Sequence, residues 1–95
     1  ARELATLRED AVAVPELAMD ALLEDDAEEA TDLANAARQR IEGIDDQTRA
    51  VDDHIRDLDS ETAQALGLVV DSLSRTADYG GNIAESALQK AAPHP

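Results

Sequence analysis

The sequence has no cysteine, no tryptophan, no phenylalanine and only one tyrosine among its 95 residues. Without cysteine the chain can form no disulfide bond, zinc–thiolate site or thiol nucleophile. Because 43% of the residues are nevertheless hydrophobic, the core must be built from Ala, Leu, Val and Ile, which suits helices that approach one another closely. The length is enough for one domain with a single modest core.

Basic residues are also scarce, with 8 Lys and Arg against 22 Asp and Glu and a net charge of −14. Such a chain repels nucleic acid and anionic membrane surfaces, since binding to either depends on Lys and Arg. The acidity has two explanations: ordinary solvation of helix surfaces, or halophilic adaptation to a cytoplasm at molar salt that screens self-repulsion. Because Lys90 is the single lysine, the composition favours the second.

Apolar runs and catalytic motifs are missing as well. No run reaches the length of a transmembrane helix or signal-peptide core, so we expect a cytoplasmic chain without membrane insertion. The sequence contains no E-x-x-H pair, no H-E-x-x-H motif and no glycine-rich phosphate loop. Its two histidines are interpreted as a solvated helix residue, His54, and as part of a tail, His94. We therefore expect that the protein is not an enzyme.

Small or apolar residues recur at alternating spacings of four and three, which is the heptad pattern of packed helices. The first stripe consists of Leu4, Leu7, Ala11, Val14, Ala18 and Ala21. The second consists of Ala27, Ala30, Ala34, Ala37, Ile41, Ile44, Thr48, Val51, Ile55 and Leu58. The third consists of Leu66, Val69, Leu73, Thr76, Gly80, Ile83 and Ala87, and is widened by Val70, Ala77 and Ala84.

These stripes predict an all-α fold, an up-down-up antiparallel three-helix bundle. The predicted helices span about 2–23, 26–57 and 60–91, within a single domain at 1–92 followed by a tail at 93–95. The chain begins with Ala1 rather than Met and could be a piece of a longer protein.

Local signals set the predicted helix ends. Asp26 and Glu29 have the spacing of a capping box, and Asp59 or Ser60 is the expected N-cap of the third helix. Pro15 either kinks the first helix or begins a new one at its N1 position. The unbroken stripe through this proline favours a kink.

The heptad phase places carboxylates opposite the core. On the third helix the outward positions hold Asp71, Asp78 and Glu85, and on the second helix Glu42 and Asp46 lie one turn apart. Two carboxylates one turn apart could share a hard cation such as Mg²⁺, or an iron ion. The alternative is that outer positions are acidic because they face solvent in a very acidic protein.

Two adjacent glycines, Gly80 and Gly81, lie inside the third predicted helix, where each costs about 1 kcal/mol relative to alanine. Gly80 belongs to the stripe, so we expect a small-residue seam that lets another helix backbone come close. Gly81 falls just outside that seam, and an approaching helix or ligand is one explanation. Tyr79 flanks the stripe and is interpreted as a packing residue.

The stretch VVDSLSRTADYGGNIAESAL, at 69–88, resembles the third helix of the PhoU family of phosphate-uptake regulators in its archaeal form. The family signature there runs E-R-x-x-D-x-x-x-N-I-A-E. The matching residues are Arg75, Asp78, Asn82, Ile83, Ala84 and Glu85. The first carboxylate of the signature is replaced by Ser74, and the rest of the chain resembles the family in architecture alone.

The resemblance implies a cytoplasmic regulator of phosphate uptake and phosphate signalling that contacts the phosphate transporter or its sensor kinase. It also implies a divalent metal (iron, zinc, manganese or magnesium) on the acidic surface, with Asp71 substituting for the carboxylate lost at Ser74. The candidate ligands are Asp78, Asp71, Glu85, Glu42 and Asp46. Because the family carries two three-helix repeats, we expect a homo-oligomer or a second repeat. The alternative is a metal-free structural or adaptor bundle that mediates oligomerisation.

Overall fold

The computed structural model describes residues 2–93, which form three helices: α1 (Arg2–Leu23), α2 (Ala27–Ile55) and α3 (Ser60–Ala91). Every pair of helices is in contact, and the described chain is a rod of 56 × 18 × 17 Å. The predicted all-α, up-down-up three-helix bundle is thereby confirmed. His94 and Pro95, the last two positions of the predicted tail, lie outside the described residues.

The connection between α1 and α2 is closed by two carboxylates. The Asp26 side chain accepts a hydrogen bond from the backbone N–H of Glu29 at 3.0 Å, as the capping-box spacing predicts. The backbone N–H of Asp26 donates in turn to the Glu24 carboxylate at 3.1 Å. In a capping box, the acceptor for the N-cap backbone N–H is normally the side chain of the third helical residue. Here it comes from Glu24, which precedes the helix.

The connection between α2 and α3 is capped by Asp59 rather than Ser60. The Asp59 carboxylate accepts from both the backbone N–H and the hydroxyl of Thr62, each at 2.9 Å. The second helix ends at Ile55, two residues before the predicted end. The first helix continues through Pro15, so no new helix begins at that residue.

The core is made of small side chains. Leu7 and Val14 are the largest that are fully buried. The other buried hydrophobic residues are Ala11, Ala18, Ala21, Ala30, Ala34, Ala37, Ile44, Val51, Val70, Ala77, Ala84 and Ala87. Alanine at so many contacts lets the helix backbones approach closely, which agrees with the lack of Phe and Trp.

The closest approach is between α1 and α3 at Gly80. A Cβ atom added there would lie 2.5 Å from Val14 Cγ1, 2.7 Å from Pro15 N and 3.0 Å from Pro15 Cα. Two of these atoms are backbone and cannot rotate away, so the position requires glycine. The proline nitrogen also has no hydrogen, which helps the two backbones to meet. The expected small-residue seam therefore crosses α1 at its proline.

The predicted stripes need three corrections. On α3 the buried set is Val70, Ala77, Gly80, Ala84 and Ala87, whereas Val69 is 44% exposed, because α3 packs into the groove between α1 and α2. Tyr79 is 67% exposed and is not a packing residue. On the α2 stripe, the two end residues Ala27 and Leu58 are exposed because they lie at or beyond the helix ends.

Candidate functional site

Two neighbouring glycines show which sides of α3 face its two partners. Gly80 lies against Val14 and Pro15 of α1, whereas a Cβ at Gly81 would meet Ile41 Cδ1 of α2 at 3.0 Å. Successive residues of a helix are about 100° apart around its axis. The exposed residues of α3 therefore divide into a side toward α1 and a side toward α2, and the two sides differ in chemistry.

The side toward α2 is acidic. Together with the outer surface of α2 it forms what we call the carboxylate face. Its members are the five residues predicted as metal ligands, all exposed: Glu42, Asp46, Asp71, Asp78 and Glu85. The outward direction of these side chains follows the heptad phase.

Two of the five carboxylates already have a cationic partner on the same helix. Asp71 accepts a hydrogen bond from the Arg75 guanidinium, which raises the pKa of Arg75 by that bond and by the negative charge of Asp71. Asp46 lies 3.5 Å from an Arg49 nitrogen. A cation at either carboxylate would have to compete with an arginine.

Two others line the same groove between α2 and α3. Glu42 and Glu85 both line this groove of about 260 Å³, together with Arg38, Ile41 and Gly81. Gly81 forms part of the floor, because any side chain there would press on Ile41. Sequence reasoning did not foresee that the two glutamates share a groove, which depends on the register of α2 against α3.

The five candidate ligands do not converge on one point. Within residues 2–93, no group of three or more His, Asp or Glu side chains is placed to hold a metal ion. Ser74 is half-buried beside the carboxylate face and offers a hydroxyl in place of the carboxylate of the family signature. Metal binding at this face stays a prediction.

The opposite side of α3 is apolar and, with the adjoining side of α1, forms what we call the acid-free face. It carries five large exposed hydrophobic residues: Val12, Met19, Leu68, Val69 and Tyr79. Between them lie small polar side chains of α3, such as Ser72 and Thr76. Among the described residues, no Asp or Glu lies on this side of α3 between Leu68 and Lys90.

The sequence contains a signal for the acid-free face, in the spacing of the carboxylates of α3. The last three acidic residues of α3 are Asp71, Asp78 and Glu85, and they are spaced by seven. Because a heptad spacing keeps residues on one side of a helix, the other side must lack carboxylates over the same length. The interpretation of Tyr79 as a packing residue beside the stripe hid the pattern.

The seam between α1 and α2 is held by polar contacts. The Asp10 carboxylate accepts from Arg40 and from the side-chain amide of Gln47, both at 2.6 Å. Nearer the chain start, Glu3 lies 3.3 Å from His54 Nε2. The interpretation of His54 as a solvated helix residue fits its 63% exposed side chain, although it has this acidic neighbour. These contacts fix the register of α1 against α2.

An apolar pocket of about 300 Å³ lies at the end of the bundle where α2 turns into α3. Leu4, Val51, Ile55, Leu58 and Leu66 line it, with Glu3, His54 and Asp57 at the rim. The described part of α1 begins near this pocket. The walls are thus mainly those of the α2–α3 hairpin.

Comparisons of the chain with models of known protein families, with curated proteins and with solved structures found no match. Among the described residues, no helix combines the length and the hydropathy needed to cross a membrane.

Proposed function

We propose that this chain is a regulatory interaction domain that acts by protein–protein contact rather than by catalysis. The supporting observation is the division of its surface, with exposed carboxylates on one side of α3 and an acid-free face with exposed Leu68, Val69 and Tyr79 on the other. Monomeric proteins rarely leave large apolar patches in solvent unless the patch serves an interaction. A surface divided in this way can bind two different partners.

The resemblance on α3 suggests which regulation is involved. Its signature residues Asp78, Asn82 and Glu85 are all exposed and lie on the side toward α2. We propose that this carboxylate face docks onto a basic surface of a phosphate-transporter subunit or of a sensor kinase in the cytoplasm. Opposite potentials would speed the encounter and select the partner.

A structural or adaptor bundle without a phosphate role is the second candidate. It is favoured by the alanine-rich core and by the pairing of Asp71 with Arg75, which leaves that carboxylate engaged within its own helix. The two candidates differ in whether the carboxylate face has a partner.

The experiment is a titration of the labelled chain with the transporter ATPase subunit and with the cytoplasmic part of the sensor kinase from the same organism. The test variant combines Asp78→Asn with Glu85→Gln on the carboxylate face. The control combines Asp20→Asn with Glu16→Gln, which removes the same charge from exposed positions of α1, outside the carboxylate face. We expect salt-sensitive binding that the test variant weakens by about tenfold and the control by less than about twofold.

Two results would contradict the regulatory proposal. In the first, neither the transporter subunit nor the sensor kinase binds the wild-type chain. In the second, one of them binds the test variant and the control variant with equal affinity. The first result favours the adaptor, and the second shows that binding does not use the carboxylate face.

Metal binding by the carboxylate face is tested separately. Because the described residues of one chain do not gather three ligands, a cation would need carboxylates from adjacent helices that shift or from two subunits. Calorimetric titration of Mn²⁺ into wild type and Asp78→Asn decides the matter. Loss of binding in the variant supports a site at Asp78, whereas equal and weak binding by both shows a solvated face.

A further inference from the structure

The acid-free face is exceptional on a chain with a net charge of −14. Its exposed hydrophobic residues form two rows, Val12 and Met19 on α1 and Leu68, Val69 and Tyr79 on α3. The groove between the two rows is lined by Pro15, Thr76 and Ile83, which are half-buried. Solvent thus meets a strip of exposed hydrophobic residues separated by small uncharged polar side chains such as Ser72 and Thr76.

Charge decides which partner suits this strip. A basic protein would be attracted to the carboxylate face and not to a face without carboxylates. A second copy of the chain is repelled wherever carboxylates meet within a Debye length, which is about 8 Å at physiological salt. The acid-free face is the side on which two copies bring the fewest carboxylates together, with Glu9 and Glu16 beside Val12 at its edge.

The size of the face is adequate for a dimer. The strip from Leu68 to Lys90 spans 22 steps of 1.5 Å, or about 33 Å, and the rod is 18 Å wide. It therefore offers about 600 Å² per copy, compared with about 800 Å² per partner in a standard stable interface. Two copies would bury about 1,200 Å² in total, at the low end of specific interfaces, so we expect a reversible dimer.

We infer that the acid-free face is the contact between two copies of this chain, related by a two-fold axis parallel to the rod. The inference rests on the proposed interaction function and names the partner of one face. The axis direction comes from the charges at the borders. Glu9 and Glu16 border the strip on α1, and Arg75, which also donates to Asp71, borders it on α3. A parallel axis sets each acidic border against the border that carries Arg75, whereas a perpendicular in-plane axis sets the two acidic borders against each other.

The register of α1 and α3 makes this pairing specific. Gly80 is level with Val14, and the Lys90 ammonium donates to the carbonyl of Leu22 at 2.7 Å. A residue of α3 is thus level with the residue of α1 that is 65 to 68 positions earlier. Glu9 is consequently level with Arg75, and a parallel two-fold axis brings Glu9 of one copy beside Arg75 of the second copy.

The test is sedimentation equilibrium of the full chain, whose mass of 10.1 kDa makes monomer and dimer easy to separate. Met19→Glu and Tyr79→Glu each place a carboxylate in the contact. The control, Gln39→Glu, adds the same charge on exposed α2. We expect a wild-type dimer that salt strengthens, weakened at least about tenfold by each test variant and less than about twofold by the control. Circular dichroism of every variant confirms that it is folded.

A charge exchange tests the axis. Glu9→Arg and Arg75→Glu should each weaken the dimer, and the double variant should recover it, because the pair is then reversed. A wild-type chain that remains monomeric at all salt concentrations overturns the inference, as does a dimer that Met19→Glu and Tyr79→Glu leave intact. Absence of recovery in the double variant overturns the parallel axis. None of these results bears on docking by the carboxylate face, which the titration with regulatory proteins tests.

Discussion

The two halves of α3 are packed very differently. From Val70 onward α3 lies beside α1 and buries Ala77, Gly80, Ala84 and Ala87. Before Val70, the helix extends past the described part of α1 and, among the described residues, pairs mainly with the end of α2. Every described residue from 60 to 69 is exposed or half-buried. Within residues 2–93, one continuous helix thus belongs to a tight three-helix region and to a looser two-helix region.

This difference in packing shows which region contributes most of the buried apolar contacts that stabilise the bundle. In the three-helix region, alanines and one glycine bring the helix backbones close together, and no space is left for a larger side chain at Gly80. In the two-helix region the larger side chains Leu58 and Leu66 are only partly covered, and the N-cap Asp59 secures the end. Regions with few buried apolar contacts open locally at lower free energy than the core. We expect the two-helix region to open first.

The largest contrast is expected from leucine truncation. Leu7 is fully buried in the three-helix region, so Leu7→Ala should lower the free energy of unfolding by about 2–5 kcal/mol. Leu66 is half-buried in the two-helix region, and Leu66→Ala should cost about 1 kcal/mol. Denaturant unfolding of the two variants measures the difference. Equal losses would mean that the two regions are packed alike.

Alanine at two glycines of α3 should give effects of opposite sign. Gly80→Ala drives a methyl group into the Pro15 backbone, and this overpacking should cost about 1–3 kcal/mol of stability. The higher helix propensity of alanine offsets about 1 kcal/mol of that cost. At Gly67 an added Cβ meets nothing within 4 Å, so Gly67→Ala should stabilise by up to about 1 kcal/mol. Thermal unfolding should show the melting temperature falling for Gly80→Ala and rising for Gly67→Ala.

Gly81→Ala is the matched control for this pair, since it lies next to Gly80 but meets a different neighbour. Its Cβ would touch the flexible end of Ile41, which can shift by a few tenths of an ångström. We expect a change in melting temperature smaller than that of Gly80→Ala. A rise in melting temperature for Gly80→Ala itself would disprove the close crossing at Pro15.

The helix ends and the stripe of α1 were predictable because their signals are local. Asp26 and Asp59 cap the helices by bonding a residue three positions later, which the sequence alone displays. On α1, Leu7 lies between two polar residues and Val14 lies between alanine and proline. Neither has a large hydrophobic residue directly beside it in sequence, so the stripe identifies the buried side. The outward direction of Asp78 follows from the same heptad spacing.

Other features depend on where helices lie in space. Val69 and Val70 are adjacent and equally apolar, and only the position of α1 and α2 decides that Val70 is buried. The role of Gly81 depends on its distance to Ile41, and the groove shared by Glu42 and Glu85 depends on the register of two helices. The acid-free face escaped prediction because Tyr79, which flanks the stripe in sequence, was interpreted as a packing residue.

Added salt should act more on the two-helix region. The connection from α2 to α3 is crowded with carboxylates: Asp52, Asp53, Asp57, Asp59 and Glu61. Because the Debye length falls from about 10 Å at 0.1 M to about 3 Å at 1 M, KCl should relieve their repulsion. We expect the melting temperature to rise with KCl past about 1 M, as the halophilic explanation requires. Hydrogen exchange should slow more at amides 56–66 than at amides 77–87, and a melting temperature indifferent to salt would refute that explanation.

The smallest effect is expected from protonation of the cap at Asp59. Hydrogen bonds from the Thr62 backbone N–H, and then from the Thr62 hydroxyl, hold the pKa of Asp59 below its usual value of 3.8. A carboxylate with a depressed folded pKa stabilises the fold above its unfolded pKa, and this contribution is lost as the pH falls through the folded value. Asp59→Asn keeps an N-cap acceptor but does not titrate.

The stability of Asp59→Asn relative to wild type should therefore rise as the pH is lowered below 3.8. Urea unfolding at several pH values measures this difference. Asp57→Asn changes the net charge equally two residues earlier and serves as the control. If both variants follow the same pH dependence, the effect is one of overall charge, and the cap does not secure the two-helix region.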